Sequence, residues 1–262
     1  MNRITVRSLI VSAVASVAVS LLVSAAIQAQ PVVLNFDING TSNTATGAVG
    51  VATYVGLGAY TSDTGTYWNP IDLTNNTTGA SASTVYDSSG NLDSGISFSV
   101  TTPFGGSSSG TASPTVFNVQ ALLNDWIQAG SALNSDAGTF TFSGLPTNEA
   151  YTLYLYSING GAGDNGSTQF AIGANQATVT NTSPLDDSSF ISNDNYVTFT
   201  GNTGTGTVAG NFYTTGSSGY GYFDGAQLIL GTTGPIPEPA TLAIFAAGAL
   251  GLLAGRRKLL HR

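Results

Sequence analysis

The chain of 262 residues has a formal net charge of −8 and no cysteine, and all of its 14 carboxylates except Glu238 lie in residues 30–231, where lysine, arginine and histidine are absent. This acidic body excludes nucleic acid as a partner, because phosphate binding depends on Lys and Arg, and the missing cysteine excludes disulfides. Without His, Cys or Lys, the body cannot carry a Ser-His-Asp or Cys-His centre, an ordinary zinc site or a Schiff-base lysine.

Residues 1–29 fit a secretory signal peptide. Arg3 and Arg7 supply the positive start, and residues 9–23 form an apolar stretch interrupted only by serines. Ala29 is the small residue that cleavage requires, so the sequence predicts a signal helix followed by a mature start at Gln30. An uncleaved N-terminal anchor helix is the alternative interpretation.

Residues 30–231 predict a single, mainly β domain. Short segments with alternating apolar and polar residues are separated by turn residues, which is typical of antiparallel strands. Such a series favours an antiparallel β-sandwich or jelly roll. The predicted strands cover residues 32–37, 49–60, 96–100, 139–142, 151–156, 168–172, 177–180, 196–200, 206–213 and 220–230.

Two turns and the faces of one strand can also be assigned. Asn39-Gly40 is a turn signal after the first strand, and Gly144 begins a turn before the strand at 151–156. Side chains alternate across a strand. We therefore expect the odd-numbered residues of 151–156 on one face and the even-numbered residues on the other.

One segment departs from the strand pattern and predicts a short helix over an open end or edge of the sandwich. A polar residue suited to an N-cap precedes it, apolar residues recur at helical spacing, and a glycine follows. These residues are Asn118 as the cap, Leu122, Leu123, Trp126 and Ile127 as the stripe, and Gly130 as the stop. Trp126 is expected in the core.

Acidic loop residues are candidate calcium ligands. Asp164, Asp186, Asp187 and Asp194 lie on predicted loops beside asparagines, and Ca²⁺ takes oxygen ligands of this kind. No EF-hand spacing is present. Turn formation and solubility explain the same residues without an ion, so both interpretations stay open.

Aromatic residues around one polar loop are candidate carbohydrate contacts. Tyr60, Tyr67 and Trp68 bracket the loop at residues 61–65. Binding sites combine aromatic side chains with a few placed polar groups, so sugar rings could stack here while Asp and Asn bind their hydroxyls. A core role for Trp68 is the alternative.

Carboxylates offer the remaining catalytic chemistry, since glycoside hydrolysis needs two positioned carboxyl groups. Asp125 and Glu149 are the notable single carboxylates, because they lie near Trp126 and the strand at 151–156. The sequence identifies no pair, and solvated surface acids explain both residues. We therefore predict that the protein is not an enzyme.

The C-terminal segment, residues 232–262, resembles a known sorting signal. The order of a Pro-Glu-Pro motif, a short apolar helix and a basic cluster is that of the PEP-CTERM sorting domain. Residues 240–255 are the predicted transmembrane helix, short against the ~20 residues of an upright span, and the basic stop at 256–262 should stay in the cytoplasm. The residues matching the motif are Pro237, Glu238, Pro239, Arg256, Arg257 and Lys258.

The resemblance implies a destination. In that family the tail is recognised and processed by an exosortase, an integral membrane enzyme of Gram-negative bacteria that make exopolysaccharide. The chain would be held in the membrane by its C-terminal helix before processing, and would reach the cell surface or the extracellular space afterwards.

The layout of the body is also similar to galactose-binding-like jelly rolls. A Gly-Leu-Pro turn precedes the aromatic strand at 151–156, and residues 223–228 form a closing strand. The resemblance implies a sandwich and carries over no binding residue. Together these features favour an exported, non-catalytic envelope or extracellular-matrix protein that contacts exopolysaccharide; a carbohydrate-binding module and a carboxylate-based glycoside hydrolase are the alternatives.

Overall fold

A computed structural model describes residues 31–40, 56–73, 78–93, 95–103, 107–109, 120–123, 125–130, 136–157, 167–180, 189–215 and 219–231. Its elements are β1 (Val32–Gly40), β2 (Asn69–Leu73), β3 (Gly79–Ala82), β4 (Val85–Tyr86), β5 (Leu92–Asp93), β6 (Ser97–Thr101), β7 (Ser107–Ser109), α1 (Gln120–Leu123), β8 (Asp125–Ala129), β9 (Gly138–Ser143), β10 (Ala150–Tyr156), β11 (Thr168–Ile172), β12 (Asn175–Val179), β13 (Tyr196–Asn202), β14 (Thr207–Thr214), β15 (Gly221–Phe223) and β16 (Gly225–Leu230).

Most of the strands belong to two large sheets. Sheet A has the order β13-β10-β16-β1-β2, and sheet B has the order β12-β11-β14-β9-β6-β3. Every pairing in them is antiparallel except that of β1 with β2. Two smaller sheets, β15-β8-β7 and β4-β5, complete the described part. The prediction of a mainly β protein with antiparallel sheets is confirmed.

The two large sheets face each other across an aromatic core. Phe36 of β1 lies 4.8 Å from Phe98 of sheet B, measured between ring centroids. Phe223 of β15 lies 5.4 Å from Phe212 and 5.6 Å from Phe140. Rings at these separations gain stabilisation beyond that of their buried area. The core thus holds together a sandwich whose body has no cysteine to crosslink it.

The strand at residues 151–156 has the predicted faces. Tyr151, Leu153 and Leu155 belong to the main core, while Tyr156 packs in a second apolar cluster, with Tyr154 at its margin. The alternation of side chains across the strand therefore assigned both faces correctly.

The predicted helix is wrong beyond its first turn. Residues 120–123 form α1, but Asp125–Ala129 form strand β8. Ile127 pairs with Phe223 on one side and with Ser107 on the other. Because β8 gains partners on both edges and buries Ile127, tertiary pairing outweighs the weak helical preference of the segment. Trp126 is buried, as predicted.

Two other predicted boundaries are corrected. Asn39 and Gly40 do not form a turn, because β1 continues through them in parallel pairing with Asp72 and Leu73 of β2. The predicted strand at 220–230 is divided at Asp224 into β15 and β16, which belong to different sheets. Of the predicted strand at 49–60, residues 56–60 are described and are not a strand.

The targeting segments lie outside the described residues. These are the signal peptide at 1–29, with its cleavage site at Ala29 and Gln30, and the tail at 232–262, with its apolar stretch at 240–255. Among the described helices, none is long and apolar enough to cross a membrane.

Gly144, in the turn between β9 and β10, should be intolerant of a side chain. Its φ is 73°, and a Cβ there would overlap the carbonyl oxygen of Gly95. We expect Gly144→Ala to destabilise the protein by about 2 to 4 kcal/mol, combining left-handed strain with overpacking. Gly173→Ala is the matched control, because Gly173 has a φ of 59° but nothing within 4 Å of its Cβ position. Denaturant unfolding should show a clearly smaller loss for the control; equal losses would contradict the clash.

Candidate functional site

The side of sheet A that faces away from the core, its outer face, carries a row of polar side chains. Asn35 of β1 pairs with Gln227 of β16, which pairs with Tyr154 of β10, which pairs with Thr198 of β13. Cross-strand partners point to the same face with Cβ atoms about 5 Å apart. Asn35 and Gln227 are 0 % exposed, Tyr154 is half-buried and Thr198 is exposed. The solvent exposure of the row therefore increases from Asn35 towards Thr198.

Three half-buried tyrosines form an aromatic surface at the open side of this row. The ring of Tyr154 lies 6.3 Å from that of Tyr60 and 5.7 Å from that of Tyr196, between centroids. Tyr154 and Tyr196 come from adjacent strands, while Tyr60 comes from the segment before β2. We call Tyr60, Tyr154 and Tyr196 the tyrosine strip. All three residues remain partly exposed.

A second apolar cluster packs behind the strip. Trp68, Leu122, Leu123 and Tyr156 are all buried there, and the Trp68 and Tyr156 rings lie 6.0 Å apart. The turn α1 thus supplies two leucines to cover the outer face of sheet A. Phe190 packs at the margin of this cluster.

Hydrogen bonds attach the segment at residues 56–60 to the outer face. The Ala59 N–H donates to the Tyr156 Oη at 2.8 Å, and the Tyr60 N–H donates to Gln227 Oε1 at 2.9 Å. The Trp68 Nε1–H donates to the carbonyl oxygen of residue 56 at 2.9 Å. These bonds fix where the Tyr60 ring joins the strip.

The structure separates the three predicted sugar contacts. Tyr60 lies in the tyrosine strip. Tyr67 is 38 % exposed and packs against Tyr86, with the ring centroids 5.2 Å apart and the ring planes tilted by 53°. Trp68 is 2 % exposed and offers no ring face to a ligand. Trp68 is therefore a core residue, and the candidate surface passes to Tyr154 and Tyr196, which the sequence analysis had not proposed as contacts.

Of the predicted calcium ligands, the structure describes one. Asp164, Asp186 and Asp187 lie outside the described residues. Asp194 lies in the turn before β13, where its N–H donates to the Ile191 carbonyl oxygen at 3.1 Å. In the described part of the chain, no group of three His, Cys, Asp or Glu residues is placed to hold a metal ion. Calcium binding stays a prediction.

Several buried polar residues of the outer face were missed. Asn35, Asp37 and Gln227 are all 0 % exposed. Their alternation with apolar residues, as in Leu-Asn-Phe-Asp-Ile of β1, indicates a polar face. Nothing local shows that this face is covered, because the cover comes from segments distant in sequence.

Two tyrosines have perturbed ionisation. Burial raises the pKa of Tyr154 above its ordinary value of 10.0, and the neighbouring Tyr196 and Tyr60 raise it further. Burial alone raises the pKa of Tyr151. The Tyr154 hydroxyl therefore keeps its proton, and remains a hydrogen-bond donor, to a higher pH than an ordinary tyrosine.

Comparison with known proteins identifies the tail. Residues 235–258 match the PEP-CTERM protein-sorting motif, which contains Pro237, Glu238 and Pro239 together with Arg256, Arg257 and Lys258. The motif implies processing by an exosortase and export to the cell envelope or surface. A search of curated proteins gives no match to the chain.

Similar solved structures are distant. One is a CBM35 from Cellvibrio japonicus Abf62, with a TM-score of 0.27 and 16 % identity over 42 % of this chain and 76 % of the other. The complex of the plant peptide RALF23 with FER and LLG2 has a TM-score of 0.36 and 12 % identity, over 76 % of this chain and 40 % of the other. An exo-β-1,3-galactanase from Phanerochaete chrysosporium with β-1,3-galactotriose has a TM-score of 0.28 and 16 % identity, over 49 % of this chain and 26 % of the other. This chain therefore spans less than half of the latter two chains, and likenesses this weak carry no argument about its ligand.

The raised pKa of Tyr154 predicts a loss of stability in alkali. The unfolded chain ionises Tyr154 near pH 10.0 whereas the folded chain ionises it later, so its contribution is complete below pH 10 and is lost as the pH rises through the folded value. The melting temperature should fall less steeply above pH 10 in Tyr154→Phe than in the wild type. Tyr213→Phe, on sheet B, is the control. A Tyr154→Phe curve parallel to the wild type would contradict the assignment.

Proposed function

We propose that the protein is an exported, exosortase-processed component of the cell envelope or extracellular matrix that binds neutral polysaccharide on the tyrosine strip without catalysis. The sorting motif supports the destination. The ring arrangement of Tyr60, Tyr154 and Tyr196 supports the binding role, and this arrangement is the observation on which the proposal depends. Sugar rings have apolar faces that stack on aromatic side chains, while their hydroxyls need polar partners of the kind that Thr198 and the tyrosine hydroxyls supply.

The charge of the body favours a neutral polymer. Residues 30–231 contain acidic side chains and no basic ones. Anionic polysaccharides would meet repulsion over the whole surface, in the same way that acidic proteins repel phosphate backbones. A neutral chain gains stacking and hydrogen bonds at the strip without that cost.

The positions of Glu149 and Asp125 give no support to hydrolysis at the strip. Glu149 precedes β10 and is roughly 16 Å along the strand from Tyr154. Asp125 belongs to β8 in the smaller sheet β15-β8-β7. Glycoside hydrolases place two carboxyl groups about 5 to 9.5 Å apart across the bond they break. Glu149 is therefore too distant to act on a sugar stacked on Tyr154.

Binding should depend on the aromatic ring of Tyr154. We expect Tyr154→Ala to weaken binding of the full-length chain to a neutral polysaccharide by at least about tenfold, because the central ring of the strip is lost, and Tyr154→Phe to retain binding. Affinity electrophoresis in gels containing dextran, galactan, xylan or mannan measures the change. Tyr213→Ala, a half-buried tyrosine of sheet B, is the matched control. If Tyr213→Ala weakens binding as much as Tyr154→Ala, or if no neutral polymer retards the wild type, the proposal is wrong.

Processing should depend on the sorting tail. We expect Glu238→Ala, or deletion of residues 256–262, to leave export intact but to change the C-terminus of the mature protein, because the recognised motif or its basic stop is lost. Intact-mass spectrometry of the exported protein gives the terminus. Glu149→Ala removes a carboxylate outside the motif and should have no effect. An unchanged C-terminal mass in both tail variants would contradict processing at this motif.

A further inference from the structure

Residues 30–262 contain no sulfur atom, because the chain has no cysteine and its one methionine is Met1. Cysteine and methionine are the usual sites of oxidative modification in proteins. In their absence, one-electron oxidation falls on tyrosine and tryptophan, whose aromatic rings give up an electron more readily than the remaining side chains. Trp68 and Trp126 are only 2 % and 8 % exposed. The tyrosines at the surface are therefore the accessible targets of an oxidant.

Tyr67 and Tyr86 form a close pair at the surface. Their ring centroids lie 5.2 Å apart. Tyr67, at 38 %, is the most exposed of the tyrosines that the structure describes, and Tyr86 is half-buried. In the tyrosine strip, the rings of Tyr154 and Tyr196 lie 5.7 Å apart and both residues are half-buried. An oxidant acting at the surface therefore meets Tyr67 first, and a second phenol already lies beside it.

Hydrogen bonds hold the backbones of the two tyrosines in this arrangement. The Tyr67 N–H donates to the Ser88 carbonyl oxygen at 2.9 Å. Asn69 Nδ2 donates to the Tyr86 carbonyl oxygen, and Asn69 Oδ1 accepts from the Tyr86 N–H, each at 2.8 Å. Holding two reacting groups side by side raises their effective concentration. Coupling within this pair is therefore faster than coupling between two molecules in dilute solution.

A bond between the two rings would attach a small hairpin to sheet A. Among the described strands, β4 and β5 form a sheet of their own, and an isolated two-stranded hairpin is marginally stable. Its turn reaches sheet A through the Ser88 N–H, which donates to the Val33 carbonyl oxygen at 2.7 Å. Tyr86 belongs to β4, and Tyr67 lies just before β2 of sheet A. The bond would thus act as a disulfide does, in a body without cysteine.

We propose that Tyr67 and Tyr86 are an oxidative crosslinking site, at which hydrogen peroxide and a haem peroxidase join the two rings by a carbon–carbon bond. Each phenol gives up one electron and one proton and becomes a phenoxyl radical. The two radicals couple at ring carbons adjacent to the C–O carbons, and the proton lost from each coupled carbon returns to a phenol oxygen. Two hydrogen atoms leave in total, and one peroxide is reduced to two waters. The inference is independent of polysaccharide binding.

Peptide mapping of the full-length chain tests the crosslinking site. The chain is treated at high dilution with peroxide and a haem peroxidase, and is then digested with an endoproteinase that cleaves before aspartate. Tyr67 then lies in the peptide of residues 63–71 and Tyr86 in that of residues 72–86. We expect a monomeric product in which these peptides are joined, with the loss of two hydrogen atoms and with dityrosine fluorescence. The melting temperature should rise by roughly 5 to 10 °C, because the crosslink restricts the unfolded chain.

Tyr67→Phe and Tyr86→Phe should each abolish the joined peptide, because phenylalanine has no phenol to oxidise. Tyr213→Phe, on sheet B, is the control and should retain it. Joined peptides from the tyrosine strip, or from two different molecules, in place of the expected pair would overturn the proposal. Should the Phe variants fail to unfold cooperatively, the wild type decides: oxidation of other tyrosines without joining residues 63–71 to residues 72–86 would overturn it as well.

Discussion

The register between β1, β16 and β10 is the constraint on which both the fold and the candidate site depend. One set of side chains from these strands, such as Phe36 and Leu153, enters the aromatic core, and the alternate set, including Gln227 and Tyr154, forms the outer face. A slip of one residue would exchange the two sets. Since residues 30–231 contain no cationic side chain, ion pairs within the body cannot correct such an error. Backbone pairing and apolar burial must therefore specify the strand register. The closely packed phenylalanine rings between the sheets contribute to this through their shape.

The sequence predicted those parts of the fold that repeat with a period of two. Strands β6, β9, β10, β11 and β14 lie within a residue or two of their predicted ends, because each alternates cleanly. Strand β2 was missed because it contains Pro70, which cannot donate to a ladder, and it is tolerated as the edge strand of sheet A. Because β2 pairs in parallel with the end of β1, β1 continues through Asn39 and Gly40. Trp126 and Ile127 were assigned to a helix because a short apolar run fits either period.

The sequence indicated one aromatic residue of the candidate site but not the other residues that join it. Of the aromatic residues around residue 60 that the sequence singled out, Tyr60 lies in the strip, and its contact with sugar stays a prediction. The sequence left both roles of Trp68 open, because a tryptophan beside a loop looks the same in sequence whether its ring faces solvent or packs on Tyr156 across the fold. Tyr196 joins the strip only because β13 pairs with β10, a contact between strands about 45 residues apart that no local pattern reveals.

The strip combines two kinds of support, and this determines how it can recognise a ligand. Tyr154 and Tyr196 are fixed by paired strands, so their rings are preorganised and cost little further ordering when a sugar stacks on them. Tyr60 is fixed by its N–H bond to Gln227 and by the close approach of Gly58. A ligand that stacks on the first two rings alone needs no rearrangement of the body. A ligand that also engages Tyr60 contacts the segment at residues 56–60, which hydrogen bonds hold on the outer face of sheet A.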